Sequence, residues 1–157
     1  MKTLLRISLL AAVAFSAFLA FGSVSARADQ PGQHPAFLHA LSDLRYARAN
    51  LEKKGGDAQM KWDESTATGA IDRAIADIKQ AAIDDGKNLA DHPPVDAKEP
   101  RAGRLHKALD ALEKARKDIK EKEDNSFANG LRDRAVADID TAINFTKQGI
   151  SNAEHPN

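Results

Sequence analysis

The chain has 157 residues, 23 Lys and Arg against 23 Asp and Glu, and no cysteine. A disulfide framework and a lipid-modified N-terminal cysteine are therefore excluded, so stability must come from packing. The even charge balance argues against a nucleic-acid partner, because phosphate binding needs a clustered excess of Lys and Arg.

The first segment reads as an export signal. Lys2 and Arg6 give a basic start, an apolar stretch runs from Ile7 to Phe21, and Ala26 and Ala28 put small residues at both positions that a signal peptidase reads. The expected domains are a signal peptide at 1–28 and a single mature domain at 29–157, periplasmic or secreted. The rival reading is an uncleaved membrane anchor, since the apolar stretch nears a spanning length, although its small residues dilute it and no stop-transfer charge cluster follows. Removing residues 1–28 takes away Lys2, Arg6 and Arg27 and no acidic residue, which leaves the mature chain at a net charge of −3. Its remaining aromatics are Phe37, Phe127, Phe145, Tyr46 and Trp62, so the core falls to Ala, Leu, Ile and Val.

Four amphipathic helices follow in order. Phe37, Leu41, Leu44, Ala47 and Leu51 recur at helical spacing and predict a helix over 35–53. Ile71, Ile75, Ile78 and Ala82 predict a second over 66–85. Leu105, Leu109, Leu112, Ala115 and Ile119 predict a third over 99–123, and Val136, Ile139, Ile143, Thr146 and Ile150 a fourth over 127–151. No β-branched run alternates with a period of two, so no strand is expected. Pro35 and Pro100 suit first helical positions. Ser65 or Thr68, and Asn125 or Ser126, offer caps for the second and fourth helices, and Gly86 a stop after the second.

The chain also repeats itself. DRAIADI at Asp72–Ile78 returns as DRAVADI at Asp133–Ile139, a shift of 61 residues, while a shift of 68 lays the first helix on the third. Two similar hairpins are expected, about 35–85 and 99–151, joined by a Pro-rich crossover at 86–98. Duplication explains the likeness, and so does convergence of Ala-rich amphipathic helices. Because isolated helices of this length are marginal in water, their stripes must bury one another, and the expected fold is an all-α, up-down-up-down four-helix bundle. Asp72 and Asp133 are placed in or near a first turn, where a carboxylate suits the helix dipole. Arg48 and Arg116 recur in register beside a seam alanine. They suggest either a paired ion site across the bundle or stems covering apolar surface under solvated guanidinium groups.

Chemistry-bearing motifs are sparse. His34, His39, His92, His106 and His155 form no i, i+4 pair, and HExxH is absent. Met60, the mature chain's single methionine, lies in a loop without a CxxCH motif, so no haem or other cofactor is expected. The acidic crossover IDDGKNLADHPPVD offers Asp84, Asp85, Asp91 and His92, with Asp96 nearby, as candidate ligands of a divalent cation. Their spacing departs from the EF-hand pattern, and a helix stop followed by a rigid Pro93–Pro94 path explains the segment equally. There is no nucleophile elbow, phosphate loop or dinucleotide fingerprint, so no catalytic residue is assigned and no enzyme is expected. Charged pairs such as Glu113 with Lys117, or Lys117 with Glu121, read as support for exposed helical turns.

The stretches HPAFLHALSDLRYARANLE, AAIDDGKNLADHPPVD, LHKALDALEKARKDI and EDNSFANGLRDRAVADIDTAI resemble those of exported bacterial helical-bundle proteins of uncharacterised function, over most of the mature chain. The plan of signal peptide plus charged bundle is more remotely similar to small periplasmic metal-binding four-helix proteins, whose dense histidine repeats this chain lacks. The resemblance implies the fold and transfers no catalytic or ligand residue. Taken with the missing motifs, the sequence leads to the expectation of a non-catalytic periplasmic bundle that binds or scaffolds through its charged faces or by self-association, with a divalent-metal binder as the alternative.

Overall fold

A computed structural model describes residues 35–53, 62–81, 85–120 and 126–155. Four helices account for most of them: α1 (Pro35–Glu52), α2 (Ser65–Gln80), α3 (Arg101–Asp118) and α4 (Ser126–Glu154), with no strand among the described residues. The fold is the all-α four-helix bundle that the periodicity predicts. The first 28 residues, with Ala26 and Ala28, lie outside the described residues, as do Met60, Ala82 and the cap candidate Asn125.

The predicted stripes form the core. Phe37, Leu41, Leu44, Ala47 and Leu51 on α1 are buried, as are Ile71, Ile75 and Ile78 on α2. On α3 and α4, Leu105, Leu112, Ala115, Ile119, Ile139, Ile143, Thr146 and Ile150 are buried, while Leu109 and Val136 pack on the core's edge. Between them runs a second set that the stripes alone do not reveal. Ala40, Ala67, Ala70, Ala74, Ala108, Ala111, Ala135 and Ala142 are all buried, and such small side chains let neighbouring helix backbones approach closely.

Helix order and direction follow from contacts between elements. Around the bundle α1 lies between α2 and α3, and α4 completes the ring between the same two, so α1–α4 and α2–α3 are the diagonals. The most extensive packing is α1 on α3 and α2 on α4, between hairpins rather than within them. Lys114 reaches Asp43 (3.4 Å) and Arg104 reaches the carbonyl of Lys53 (2.8 Å). Those two contacts fit only an antiparallel α1–α3 pair. Arg73 with Asp138 and Arg134 with Asp77 make α2–α4 antiparallel as well. Arg116 with Asp140 and Lys147 with Glu113 do the same for α3–α4, and the neighbouring Arg101 and Arg104, which reach Glu64 and the Lys53 carbonyl, put the start of α2 beside the end of α1.

Every neighbour is thus antiparallel, and the chain runs up-down-down-up, where the sequence reading expects up-down-up-down. The order is made possible by the connection from α2 to α3. It joins diagonal helices that point the same way, so it must climb the bundle's full height, about 24 Å for a helix as long as α2, as the single long crossover of such bundles does. It passes α1, where Arg45 holds Asp85.

Helix ends differ from the sequence reading in several places. α2 stops at Gln80, and Gly86, with its positive φ of 68°, turns the crossover instead of ending the helix. Pro100 is the residue before α3 and accepts the N–H of Arg104. Thr68 is no cap: its hydroxyl donates back to the carbonyls of Glu64 and Ser65, and the Ser65 N–H is taken by the Asp63 carboxylate. Asp72 and Asp133 are each the eighth residue of their helix, too deep for the dipole's end to matter.

Near the C-terminal end of α4, Gly149 faces Trp62, and a Cβ there would come within 2.8 Å of the indole. Nothing lies within 4 Å of the corresponding point on Gly130, in the same helix. Gly149→Ala is therefore expected to lower stability by about 1–3 kcal/mol through overpacking. Gly130→Ala is expected to raise it by about 0.8–1 kcal/mol through helix propensity. Thermal or urea unfolding of the two variants checks both signs, with Trp62, the sole tryptophan, as an intrinsic fluorescence probe.

Candidate functional site

The crossover holds the predicted cation ligands, and its sequence dictates how they sit. Asp84 lies outside the described residues. Asp85 lies just beyond it, and both its oxygens accept from Arg45, Oδ2 from Nη1 and Oδ1 from Nη2, each at 2.7 Å. Asp85 also takes the Lys87 N–H (3.2 Å), and Lys79 Nζ stands 3.7 Å away. Asp91 and Asn88 form a local turn in which the Asn88 N–H donates to Asp91 Oδ2 (2.8 Å) and the Ala90 N–H to Asn88 Oδ1. His92 Nδ1 lies 2.8 Å from the Pro93 carbonyl, and the Asp96 carboxylate accepts the Lys98 N–H. The acidic residues are thus turned to a guanidinium or to backbone N–H groups. Among the described residues no three of His, Asp, Glu or Cys converge on a point that could hold a metal ion.

Arg45 is the residue that sequence reasoning misses. Its side chain is 1% exposed, against 11% for Asp85, in a position flanking the stripe of Leu41 and Leu44 that would ordinarily be read as solvated. A bidentate guanidinium–carboxylate fork is the geometry that lets such a charge be buried. Burial by itself pushes the Asp85 carboxyl up, but the hydrogen bonds from Arg45 and the Lys87 N–H, with the charges of Arg45 and Lys79, together hold it below its ordinary range.

A second buried arginine closes the opposite end. Arg104, fully buried, donates to the carbonyls of Glu99 and Lys53, and so engages the end of α1, where helix carbonyls lack partners. One turn earlier Arg101 pairs with Glu64 (3.2 Å) and lies 5.8 Å over the Trp62 ring. This junction ties the starts of α2 and α3 to the ends of α1 and α4. Its chemistry is structural.

The remaining candidates separate cleanly. Arg48 donates to Asp72 and Glu52, and Arg116 to Asp140, in both cases to a carboxylate 24 residues further on across its own hairpin. The recurrence seen in the sequence is thus two ion pairs, one per hairpin, and not a site shared across the bundle. The hydrogen bond to Asp72 chiefly raises the Arg48 pKa, and that to Asp140 raises the pKa of Arg116. Glu113, expected to support Lys117, reaches instead across to Lys147 at 3.3 Å. His39 and His155 are exposed, His106 lies 3.0 Å from Glu154, and His34 is outside the described residues.

The repeated phrase has a specific geometry. Arg73, its second residue in α2, donates to Asp138, its sixth in α4, at 2.8 and 3.0 Å. Arg134 and Asp77, the same two positions exchanged, meet at 2.8 and 3.1 Å. The two copies lie antiparallel and bridge one another symmetrically outside the buried Ala74, Ile78, Ala135 and Ile139.

Comparison with known protein families, with curated proteins and with solved structures finds no match to this chain.

Asp85→Ala would strand the buried Arg45 charge. A loss of about 3 kcal/mol is expected, the lower end for breaking a buried pair, whereas replacing both partners with apolar residues is expected to be nearly neutral. The lowered Asp85 pKa fixes the sign of the pH effect: its stabilisation is full above the ordinary carboxylate value of 3.8 and is lost as the pH falls below that toward the folded-state value. Unfolding curves of wild type and Asp85→Asn between pH 2 and 7 should therefore lie apart at neutral pH and converge in acid.

Proposed function

We propose that this is a non-catalytic, exported bundle that acts in the periplasm by binding or scaffolding through its charged helical faces. The observation that carries this reading is where the buried polar groups go. Arg45 and Arg104 hold the crossover and the end of α1. Asn50 donates to the Tyr46 carbonyl, Thr68 to its own first turn, and Thr146 to the Ala142 carbonyl. Each of these buried polar side chains serves the architecture, which leaves recognition to the exposed faces.

Export is supported by the basic start, the apolar stretch and the small residues at Ala26 and Ala28. The described helices themselves contain none long and apolar enough to cross a membrane. The alternative, a divalent-metal protein, rests on the acidic crossover, where Asp85 faces Arg45.

Expression of the full chain in a Gram-negative host tests both parts. The periplasmic fraction should yield a product whose intact mass begins at Asp29, and a full-length product held in the membrane would overturn the export reading. Its melting temperature should be unchanged by Ca²⁺, Zn²⁺ or Cu²⁺. A specific cation at a hundredfold excess over its dissociation constant would instead add about 2.7 kcal/mol of stability, and that result would replace scaffolding with metal binding.

A further inference from the structure

The α2–α4 seam is self-complementary. Because one phrase meets its own repeat antiparallel, position two bridges position six in both directions: Arg73 with Asp138, and Arg134 with Asp77. α2 and α4 even begin in register, at Ser65 and Ser126, the same 61 residues apart as the phrases. Nothing in such a seam distinguishes the second hairpin of the same chain from that of another copy.

The covalent link permits the exchange. At its start the crossover is fastened to hairpin one, through Asp85 to Arg45 and the Lys87 carbonyl to Lys79. At its end it is fastened to hairpin two, through Glu99 to Arg104 and Lys107. Between these anchors, over 88–98, the hydrogen bonds run inside the segment, from Asn88 with Asp91 to Asp96 with Lys98. Those eleven residues can extend to about 36 Å, enough to carry one hairpin clear of the other without disturbing either anchor.

We propose that two copies of this chain exchange hairpins, α1 and α2 of one packing on α3 and α4 of the other and reciprocally. The result is a two-fold symmetric dimer that keeps every seam contact of the monomer, with only the hinge changing its path. The exchange rests on the seam and the crossover and stands whether or not the chain is exported or acts as a scaffold.

Two charge-exchanged full-length variants test it. The first carries Arg73→Asp and Asp77→Arg; the second carries Arg134→Asp and Asp138→Arg. Folded alone, each sets Asp against Asp and Arg against Arg across its own α2–α4 seam. Hairpin exchange between the two restores opposite charges at all four bridges, a specificity built as much from repulsion as from attraction. The variants are mixed in denaturant at high protein concentration, refolded together, and examined by native mass spectrometry and thermal unfolding. The expected species has twice the chain mass, contains one copy of each variant, and melts above either variant alone. The same heterodimer from variants that fail to fold singly supports the exchange equally. Co-refolding that leaves only monomers or unfolded chains overturns it. The first variant is also mixed with wild type, where exchange leaves like charges opposed across one of the two seams and so restores nothing. A heterodimer formed as readily there reports ordinary surface association and overturns the proposal.

Discussion

A two-helix hairpin has one apolar face and nothing of its own to cover it, and the rest of this structure depends on that constraint. α1 and α2 show their stripes in the same direction, as do α3 and α4, so the core exists only where one hairpin lies on the other. The packing reflects this: α1 on α3 and α2 on α4 are the broad contacts, and α1 on α2 is the slightest of the four. Alanine makes these seams close. With Ala70, Ala74, Ala135 and Ala142 inside, the helices approach near enough for arginine and aspartate on the rim to bridge them. Helices of 16 to 18 residues would hardly persist singly in water.

The rim charges choose direction more than they add stability. Arg73 and Arg134 are 61% and 60% exposed, and bridges that open to solvent contribute little each. Their arrangement nevertheless discriminates. Laid parallel and in register, the two phrases would set Arg73 beside Arg134 and Asp77 beside Asp138. Laid antiparallel, each arginine finds an aspartate. Once α2 and α4 are antiparallel and each hairpin is antiparallel within itself, α2 and α3 must point the same way. The long crossover is the consequence of that choice.

Much of this was legible in the residues. The stripes beginning at Phe37, Ile71, Leu105 and Val136 announce four helices, and nearly all their members are buried. The order of directions was not read from the residues, because the charges of the repeated phrase favour an antiparallel pairing only once α2 and α4 are known to be neighbours. The rule that short loops make antiparallel neighbours says nothing about a connection as long as that from Ala81 to Pro100. Arg45 and Arg104 were not legible, because a charged residue flanking an apolar stripe looks the same whether its head reaches water or is covered. Arg45 is covered because the crossover passes over α1, a fact of topology that no local pattern contains. The predicted span of 66–85 would put Asp84 and Asp85 at a helix C-terminus, where acidic charge is unfavourable. With the helix closed at Gln80, Asp85 is free to turn back on Arg45.

That use of Asp85 bears on how the molecule can work. A carboxylate shared between a buried guanidinium and a backbone N–H has its acceptor sites engaged, and a cation would have to compete with Arg45 for them. The same holds at the other end, where Arg101 and Arg104 are committed to Glu64 and to backbone carbonyls. On the outer faces, Arg48, Arg73, Arg116 and Arg134 are already arranged in pairs with aspartates across the seams they flank. A partner that binds such a face must either satisfy both members of a pair together or separate them. Attraction through these groups falls off within about 8 Å at physiological ionic strength. On the proposed reading, a partner would therefore have to match the spacing of the bridges, the same spacing that sets one hairpin on the other.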